Sequence, residues 1–493
     1  MKNLNIFKTA ICATAILSLS ACDDWLNNKP KGYTIPETYE DYQQLMNSQY
    51  LYRSLDVYPL FITDDLQLVA KGTCPEFPDF EFADKSEEMK NLYMFNHGQI
   101  FTPGNNDGIW EGAYSNIYTY NAVINNVLSS TGGSDISRKR LWAEALVGRA
   151  FEYLNLVNLY ANHYDASTAE TDYGVPLVLS EVITGEKYKR ATVAEVYKQI
   201  KDDLDQAVPC LGETVSHSFN PTQSVGYAFL SRMYLYMGRY EDALSNANLS
   251  LEQNDKLLDY KNYKAIQGQW GRLVSLDGKE EFPDEHNNVE NVYTRLFNGT
   301  SYLFKQVAAS EELLETFERN LPEDGEDMRM SLFFAKDKFN PYTNGGDYEN
   351  FPGYTIFAPY IEMNIGFSTP EVYLIAAECE ARVGDKNKAL EHLNTLRDMR
   401  IKNNVAYETP TTLSNEEVLK LVIDERRREF AFNGITRLID LKRLNREAWF
   451  AKTITHSAGS EGTWTLEPND LRYIMPVPEN VLSFNPDMPQ YER

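Results

Sequence analysis

Cysteine is scarce. Five residues occur in a chain of 493, and none stands at CxxC or other metal-ligand spacing. Cys12 and Cys22 belong to an N-terminal leader and its end. Cys74, Cys210 and Cys379 remain, an odd set with room for one disulfide at most. Histidine is equally thin, with six residues and no paired spacing. There is no HExxH, GxSxG or Walker loop. No acidic loop has EF-hand spacing, although calcium in such a loop stays open. No cofactor is therefore expected. A glycosidase-type carboxylate pair stays open too, because 72 Asp and Glu make such pairs uninformative by count. Positive charge is also short: 47 Lys and Arg leave a net charge of −25. Nucleic-acid binding needs basic surfaces that displace counterions, so nucleic acid is not an expected partner. No apolar run reaches the ~20 residues that a membrane span requires.

What the chain does carry begins at its N-terminus. Lys2 and Lys8 precede an apolar run from Ala10 to Leu19, too short to span a bilayer and suited to a secretory signal. The run ends in Leu19-Ser20-Ala21-Cys22, small residues before a cysteine, as in a bacterial lipobox. Cleavage there would leave Cys22 to receive acyl chains, palmitate among them. The mature protein is then anchored to a membrane, not threaded through it.

Two stretches read as helical hairpins. In Pro221 to Asn254, Val225, Phe229, Met233 and Tyr236 form one apolar stripe. Gly238 stops the first helix, and Ala243, Ala247 and Ser250 share a face of the second. A Gly-x-Tyr-x-x-Ala turn between amphipathic helices marks a tetratricopeptide-type hairpin. Pro370 to Arg400 repeats the arrangement, with Gly384 and Ala389 at the spacing of Gly238 and Ala243. Val372, Ala376, Cys379 and Val383 form its first stripe. The hairpins are too far apart in sequence to be adjacent units of a simple array, so large insertions in a helical framework are expected.

Further helices are predicted over 37–55, 110–128, 137–161, 192–208 (with Thr192 and Glu195 as a capping box), 310–320 and 413–432, with another from Arg437. Thr63-Asp64-Asp65 reads as a helix start or turn. Residues 72–107 read as loop, and 173–178 and 473–479 as extended. The helix carrying Glu425 to Phe430 and the segment to Arg443 are dense in charge, which spells an ion-pair network: Glu425 reaches Arg428, and Arg437 reaches a carboxylate across the turn that Gly434 makes. Trp110, Trp142 and Trp449 sit on helical stripes and are expected in the core. Between the hairpins the texture changes. Residues 255–302 and 333–367 lose helical period and gather aromatics among Asn, Gly and Asp. Loops this long in a compact protein are usually functional.

These blocks, in this order, resemble the SusD/RagB family of outer-membrane nutrient-binding lipoproteins. The resemblance covers nearly the whole chain. It rests on Asp23-Asp24-Trp25-Leu26 after the lipobox, Arg149-Ala150-Phe151, Tyr173-Gly174-Val175-Pro176-Leu177, Met237-Gly238-Arg239-Tyr240 with Ala243, and Glu371 to Glu378. The most specific signature is Glu425-Arg426-Arg427-x-Glu429-Phe430 with Gly434, Arg437, Asp440, Leu441 and Arg443. Ile474-x-Pro476-x-Pro478 and Asn485-Pro486 close it. Asn433 departs from the family, where an acidic residue is common.

The resemblance implies a mainly α fold in which tetratricopeptide-like helix pairs support long irregular loops. It implies residues 1–21 as signal peptide, 22–35 as lipidated tether and 36–493 as one SusD-like domain. The halves of that domain are 36–215 and 216–493, the latter with ligand-loop insertions 255–305 and 333–367. It further implies a non-catalytic protein on the outer-membrane surface that hands oligosaccharides, or peptides in some members, to a SusC-like TonB-dependent barrel. Sugar rings stack their C–H faces on aromatic side chains while amides and carboxylates bond the hydroxyls. Trp270, Tyr293, Tyr302, Tyr342, Tyr348 and Tyr354, with Phe80, are the expected ligand contacts. A scaffold of the transport complex without a ligand of its own is the competing expectation.

Overall fold

The computed structural model describes residues 36–75, 78–182, 184–185, 187–266, 272–298, 307–335, 353–357 and 362–493. The lipobox with Cys22, and Trp270, Tyr302, Tyr342 and Tyr348, lie outside the described residues. Within them the fold is mainly α. The principal helices are α1 (Tyr39–Met46), α2 (Gly108–Asn126), α3 (Asp135–Tyr160), α4 (Val193–Ala207), α5 (Gln223–Tyr236), α6 (Tyr240–Gln253), α7 (Thr369–Val383), α8 (Lys386–Arg400), α9 (Asn415–Glu429) and α10 (Gly434–Leu444).

Local chemistry sets the starts of these helices. Thr192 and Glu195 exchange side-chain and backbone bonds at the head of α4, and Ser414 and Glu417 do the same at α9, each satisfying two amides that the first turn leaves free. Asp107 accepts from the amides of Ile109 and Trp110 to begin α2. Consecutive helices pack as pairs, α2 on α3, α3 on α4 and α5 on α6, and α3 is buried along most of its length.

The two hairpins correct an expectation. Although 369–400 lies far along the chain from 223–253, α7 packs directly along α6, so the hairpins are neighbouring units of one helical array. The intervening chain leaves the frame after α6 and returns at α7. A buried pair, Arg232 Nε to Glu371 Oε1 at 2.8 Å, ties α5 to α7 across that excursion. The paired glycines also differ. Gly238 takes φ +69°, a conformation that costs a residue with Cβ, whereas Gly384 has φ −117°. At Gly384 the Glu380 carboxylate, which accepts the Asp385 amide, fills the space of a Cβ. Val383, expected on the buried stripe, is 43% exposed at the helix end.

Helix α9 carries the charge signature, and its consecutive residues, about 100° apart around the axis, address three neighbours. Arg426 pairs with Asp440 on α10 at 2.8 Å. Arg427 turns to Asp65 at 3.1 Å. Glu425 gathers Arg428 at 3.2 Å, Arg397 at 2.9 Å and Arg329 at 2.6 Å. The Glu425–Arg428 contact is as expected. Arg437, however, pairs with Asp64 rather than across the turn, so Asp64 and Asp65 form a buried anionic anchor and not a helix start. Asn433 caps α10 by accepting the Thr436 amide, a bond an acidic residue would also make. Gly434 begins α10 instead of ending α9, and a Cβ there would overlap the backbone of Leu60. Trp449 is 58% exposed in the turn beyond α10, its face met by Lys420 Nζ at 4.6 Å, and is not core as the stripe implied. Trp110 is buried, and Trp142 packs partly buried against the core.

Cys74, Cys210 and Cys379 are free thiols. Among the described residues no cluster of His, Cys, Asp and Glu could hold a metal ion, and no helix is long and apolar enough to cross a membrane.

Candidate functional site

The excursion between the hairpins is organised by a small sheet. Strands β1 (Leu66–Gln67), β3 (Ala308–Ala309), β5 (Ile356–Phe357) and β4 (Phe334–Ala335) lie side by side in that order, antiparallel throughout. A second pair, β2 (Asn291–Tyr293) with β6 (Phe367–Ser368), closes the excursion where it rejoins α7. Side chains alternate across a strand. Ala308, Ala335 and Ile356 therefore face one way, toward Val69, Cys74 and Phe80. Ala309, Phe334 and Phe357 face the main core, where Phe357 stacks on Phe432 at 4.6 Å and Phe334 meets Phe317 edge-on. Within the insertions 255–305 and 333–367 expected to bind ligand, residues 299–306 come between β2 and β3 in the chain, and 336–352 between β4 and β5.

Beside the core face of this sheet lies a half-open cavity of about 130 Å³. Tyr260, Phe333, Phe334 and Phe357 line one part, and Asn288, Asn291, Asn364 and Ser368 line another. Its amides are held in place. Asn364 Oδ1 accepts the amides of Arg295 and Gly366, and its Nδ2 donates to Asn291 Oδ1 at 3.1 Å. Among the described residues its carboxylates are paired. Glu290 meets Arg400 at 2.8 Å, Glu429 meets Arg400 and Arg329 at 2.8 Å each, and Glu362 meets Arg53. Burial raises Glu290, with Arg400 opposing it. For Glu429 burial acts the same way, but Arg400 and Arg329 overcome it and hold the acid low. The cavity falls below the 300 Å³ or so that encloses a drug-sized ligand, so it seats about one ring.

The expected contacts fare unevenly. Phe80 and Tyr354 are brought together on the outer face of the sheet. Phe80 is only 2% exposed, a packing residue rather than a platform. Tyr354 is half-buried against it, and burial raises its phenol. Tyr293 is fully buried, at 0% exposure, between Phe151 and Phe367, with Arg295 donating to its hydroxyl and stacked 3.8 Å from its ring. Burial, opposed by Arg295, pushes that hydroxyl up to about 12. It points inward because β2 pairs with β6 against the core. Tyr260, Phe333 and the three asparagines were not expected contacts. For Asn288 and Asn291 the cluster Asn287-Asn288-Val289-Glu290-Asn291 was the one local signal.

Comparisons with known proteins agree with this architecture. A family profile described as "Starch-binding associating with outer membrane" matches residues 73–235, and one described as "SusD family" matches residues 368–493. SusD-like protein P2 of Formosa agariphila is 23% identical over 97% of this chain and 98% of its own. A SusD superfamily structure from Bacteroides thetaiotaomicron aligns with a TM-score of 0.67 at 22% identity, covering 92% of this chain and 100% of that one. A SusD-like carbohydrate binding protein from Bacteroides vulgatus aligns with a TM-score of 0.65 at 20% identity, covering 92% and 98%. Helical array, buried charge signature and matched profiles converge: the chain belongs to the SusD/RagB family.

Proposed function

We propose that this protein captures oligosaccharides at the cell surface and passes them to a SusC-like TonB-dependent transporter, without catalysis of its own. The observation that carries the proposal is the mounting of the aromatic insertion segments. Residues 336–352 join β4 to β5, adjacent strands of a sheet packed on the helical frame, and those strands border a cleft lined by rings and anchored amides. Rigid elements beneath adaptable loops are how binding surfaces are commonly built. Rings from Trp270, Tyr302, Tyr342, Tyr348 and Tyr354 would stack on sugar C–H faces, and neighbouring amides would bond hydroxyls. The paired state of the carboxylates lining the cleft among the described residues favours binding over acid–base work, which needs a carboxyl free to exchange its proton. A SusD-like relative described as carbohydrate binding and a family profile described as starch-binding point to the same ligand class. In this proposal residues 1–21 are removed, Cys22 carries the lipid, and the outer membrane holds the protein by that anchor alone.

Titration calorimetry of the full chain against a panel of neutral oligosaccharides tests the proposal. Binding of at least one glycan is expected. Binding of peptides and of no glycan would move the protein to the peptide-binding members, and reducing-sugar release on incubation would make it an enzyme.

A further inference from the structure

A second concavity shares no lining residue with the first. It runs between α1, the N-terminal part of α3 and the loop before α5, as two adjoining hollows of about 310 and 460 Å³ that have Asn47, Glu144 and Asn220 in common. At one end three distant chain segments bring aromatic rings together. Tyr52 and Phe219 lie 4.4 Å apart between centroids, and His286 stacks on Phe219 at 6.0 Å. Both Tyr52 and Phe219 are half-buried. Arg295 holds the loop from beneath, donating to the Phe219 carbonyl at 3.2 Å.

Toward the other hollow the lining turns polar and ordered. Glu144 is buried, accepts from Asn220 Nδ2 at 3.1 Å and meets Arg140 at 3.3 Å. Arg140 in turn donates to the Thr214 carbonyl at 2.7 Å. Asn47 stands exposed at the junction of the two hollows.

We propose that this trough is a second carbohydrate subsite, taking a neutral segment of two or more sugar rings. Tyr52 and Phe219 supply the stacking face, and Asn47, Asn220 and Glu144 supply the hydroxyl partners. The inference rests on the proposed carbohydrate binding and extends it to a separate place on the molecule. An apolar ligand would strip water from Asn220 and Glu144 without replacing its bonds, at the cost that unmade buried hydrogen bonds carry. An anionic ligand would meet the Glu144 carboxylate on a chain of net charge −25. Each hollow has more than twice the volume of the first cavity, and the two adjoin, which suits a chain segment rather than one ring.

The test uses the full chain and four probes: maltoheptaose, cellohexaose, laminarihexaose and xylohexaose, each by titration calorimetry. With whichever probe the parent binds, the double change Tyr52→Ala and Phe219→Ala is expected to weaken binding about tenfold, the scale of one to two lost stacking contacts. Asn47→Ala, at an exposed position that leaves the fold intact, is expected to weaken it severalfold. Phe219→Trp, which keeps a ring, is expected to retain it. Parent-like affinity and stoichiometry in both the double variant and Asn47→Ala would overturn the subsite and leave the proposed function standing. Binding of none of the four probes by the parent would overturn both. A double variant that fails to fold by circular dichroism passes the decision to Asn47→Ala.

Discussion

Arg437 and Asp64, 373 positions apart, form a two-pronged buried ion pair, Nε to Oδ1 at 2.7 Å and Nη2 to Oδ2 at 2.8 Å. This pair joins the start of the described chain to α10, the last of its long helices. Arg427 and Lys452 bind the same carboxylate. Burial alone would raise Asp64, but Arg427, Arg437 and Lys452 overcome it and hold the acid well below its usual range.

Removing Arg437 takes two charge-assisted bonds from a buried carboxylate that Arg427 and Lys452 still hold. Arg437→Ala is therefore expected to destabilise the protein by about 3–5 kcal/mol. Lysine should rescue little, since it lacks the planar fork that meets both oxygens. Urea unfolding of the two variants checks this; a loss under 1 kcal/mol for Arg437→Ala would contradict it.

Gly434 and Gly238 should respond differently to alanine. At Gly238 the space around a Cβ is open and only the φ of +69° opposes it, so Gly238→Ala should cost about 1–2 kcal/mol. At Gly434 the Cβ would strike the Leu60 backbone, and α10 would have to shift away from the segment it packs on. Thermal melts should rank Gly434→Ala clearly below Gly238→Ala; the reverse order would mean the close approach is not required.

Glu152 is fully buried and accepts from Ser54 and Asn116 with no cation in reach of an ion pair among the described residues. Burial pushes it to about 7, the bonds from Asn116 and Ser54 opposing. The folded-state value lies above the unfolded one of about 4.3, so the folded chain holds the proton more tightly. This contribution is complete below about pH 4 and is lost as the pH rises through 7. Glu152→Gln should flatten the fall in melting temperature between those limits. An unchanged pH profile would show that Glu152 ionises freely in place.

Glu378 behaves in the opposite sense. Burial would raise it, but Arg443 and Arg382 outweigh that and hold it at about 2. Its stabilising contribution is present above the unfolded value and lost as the pH falls toward 2. Glu378→Gln should cost several kcal/mol at pH 7, leaving Arg443 and Arg382 short of a partner. The deficit relative to the parent should narrow by pH 2–3, as chemical denaturation at the two pH values can show.

Much of the frame was legible because helices announce themselves locally. Thr192 with Glu195 and Ser414 with Glu417 mark their starts within four residues, and the stripe Val225, Phe229, Met233 repeats at the helical period. The placement of rings was not legible, because it depends on partners far away. Tyr293 looked like any tyrosine in a polar loop, yet the pairing of its strand with Phe367 turns it inward. Trp449 matched a helical stripe, but the helix ends at Leu444, before it. The partners of Arg437 and the convergence of Tyr52, Phe219 and His286 share the same cause. Each joins segments whose separation leaves no trace in local spacing.

The most direct test of the proposed function is glycan binding measured with the insertion rings changed one at a time. The full chain should bind at least one neutral oligosaccharide, with affinity nearly unchanged between about 50 and 500 mM salt, since stacking and neutral hydrogen bonds are little screened. Trp270→Ala and Tyr348→Ala should each weaken it roughly two- to tenfold, whereas Tyr293→Phe should lower stability and leave affinity alone. Undiminished binding in both alanine variants, or no glycan bound by the parent chain, would contradict the account.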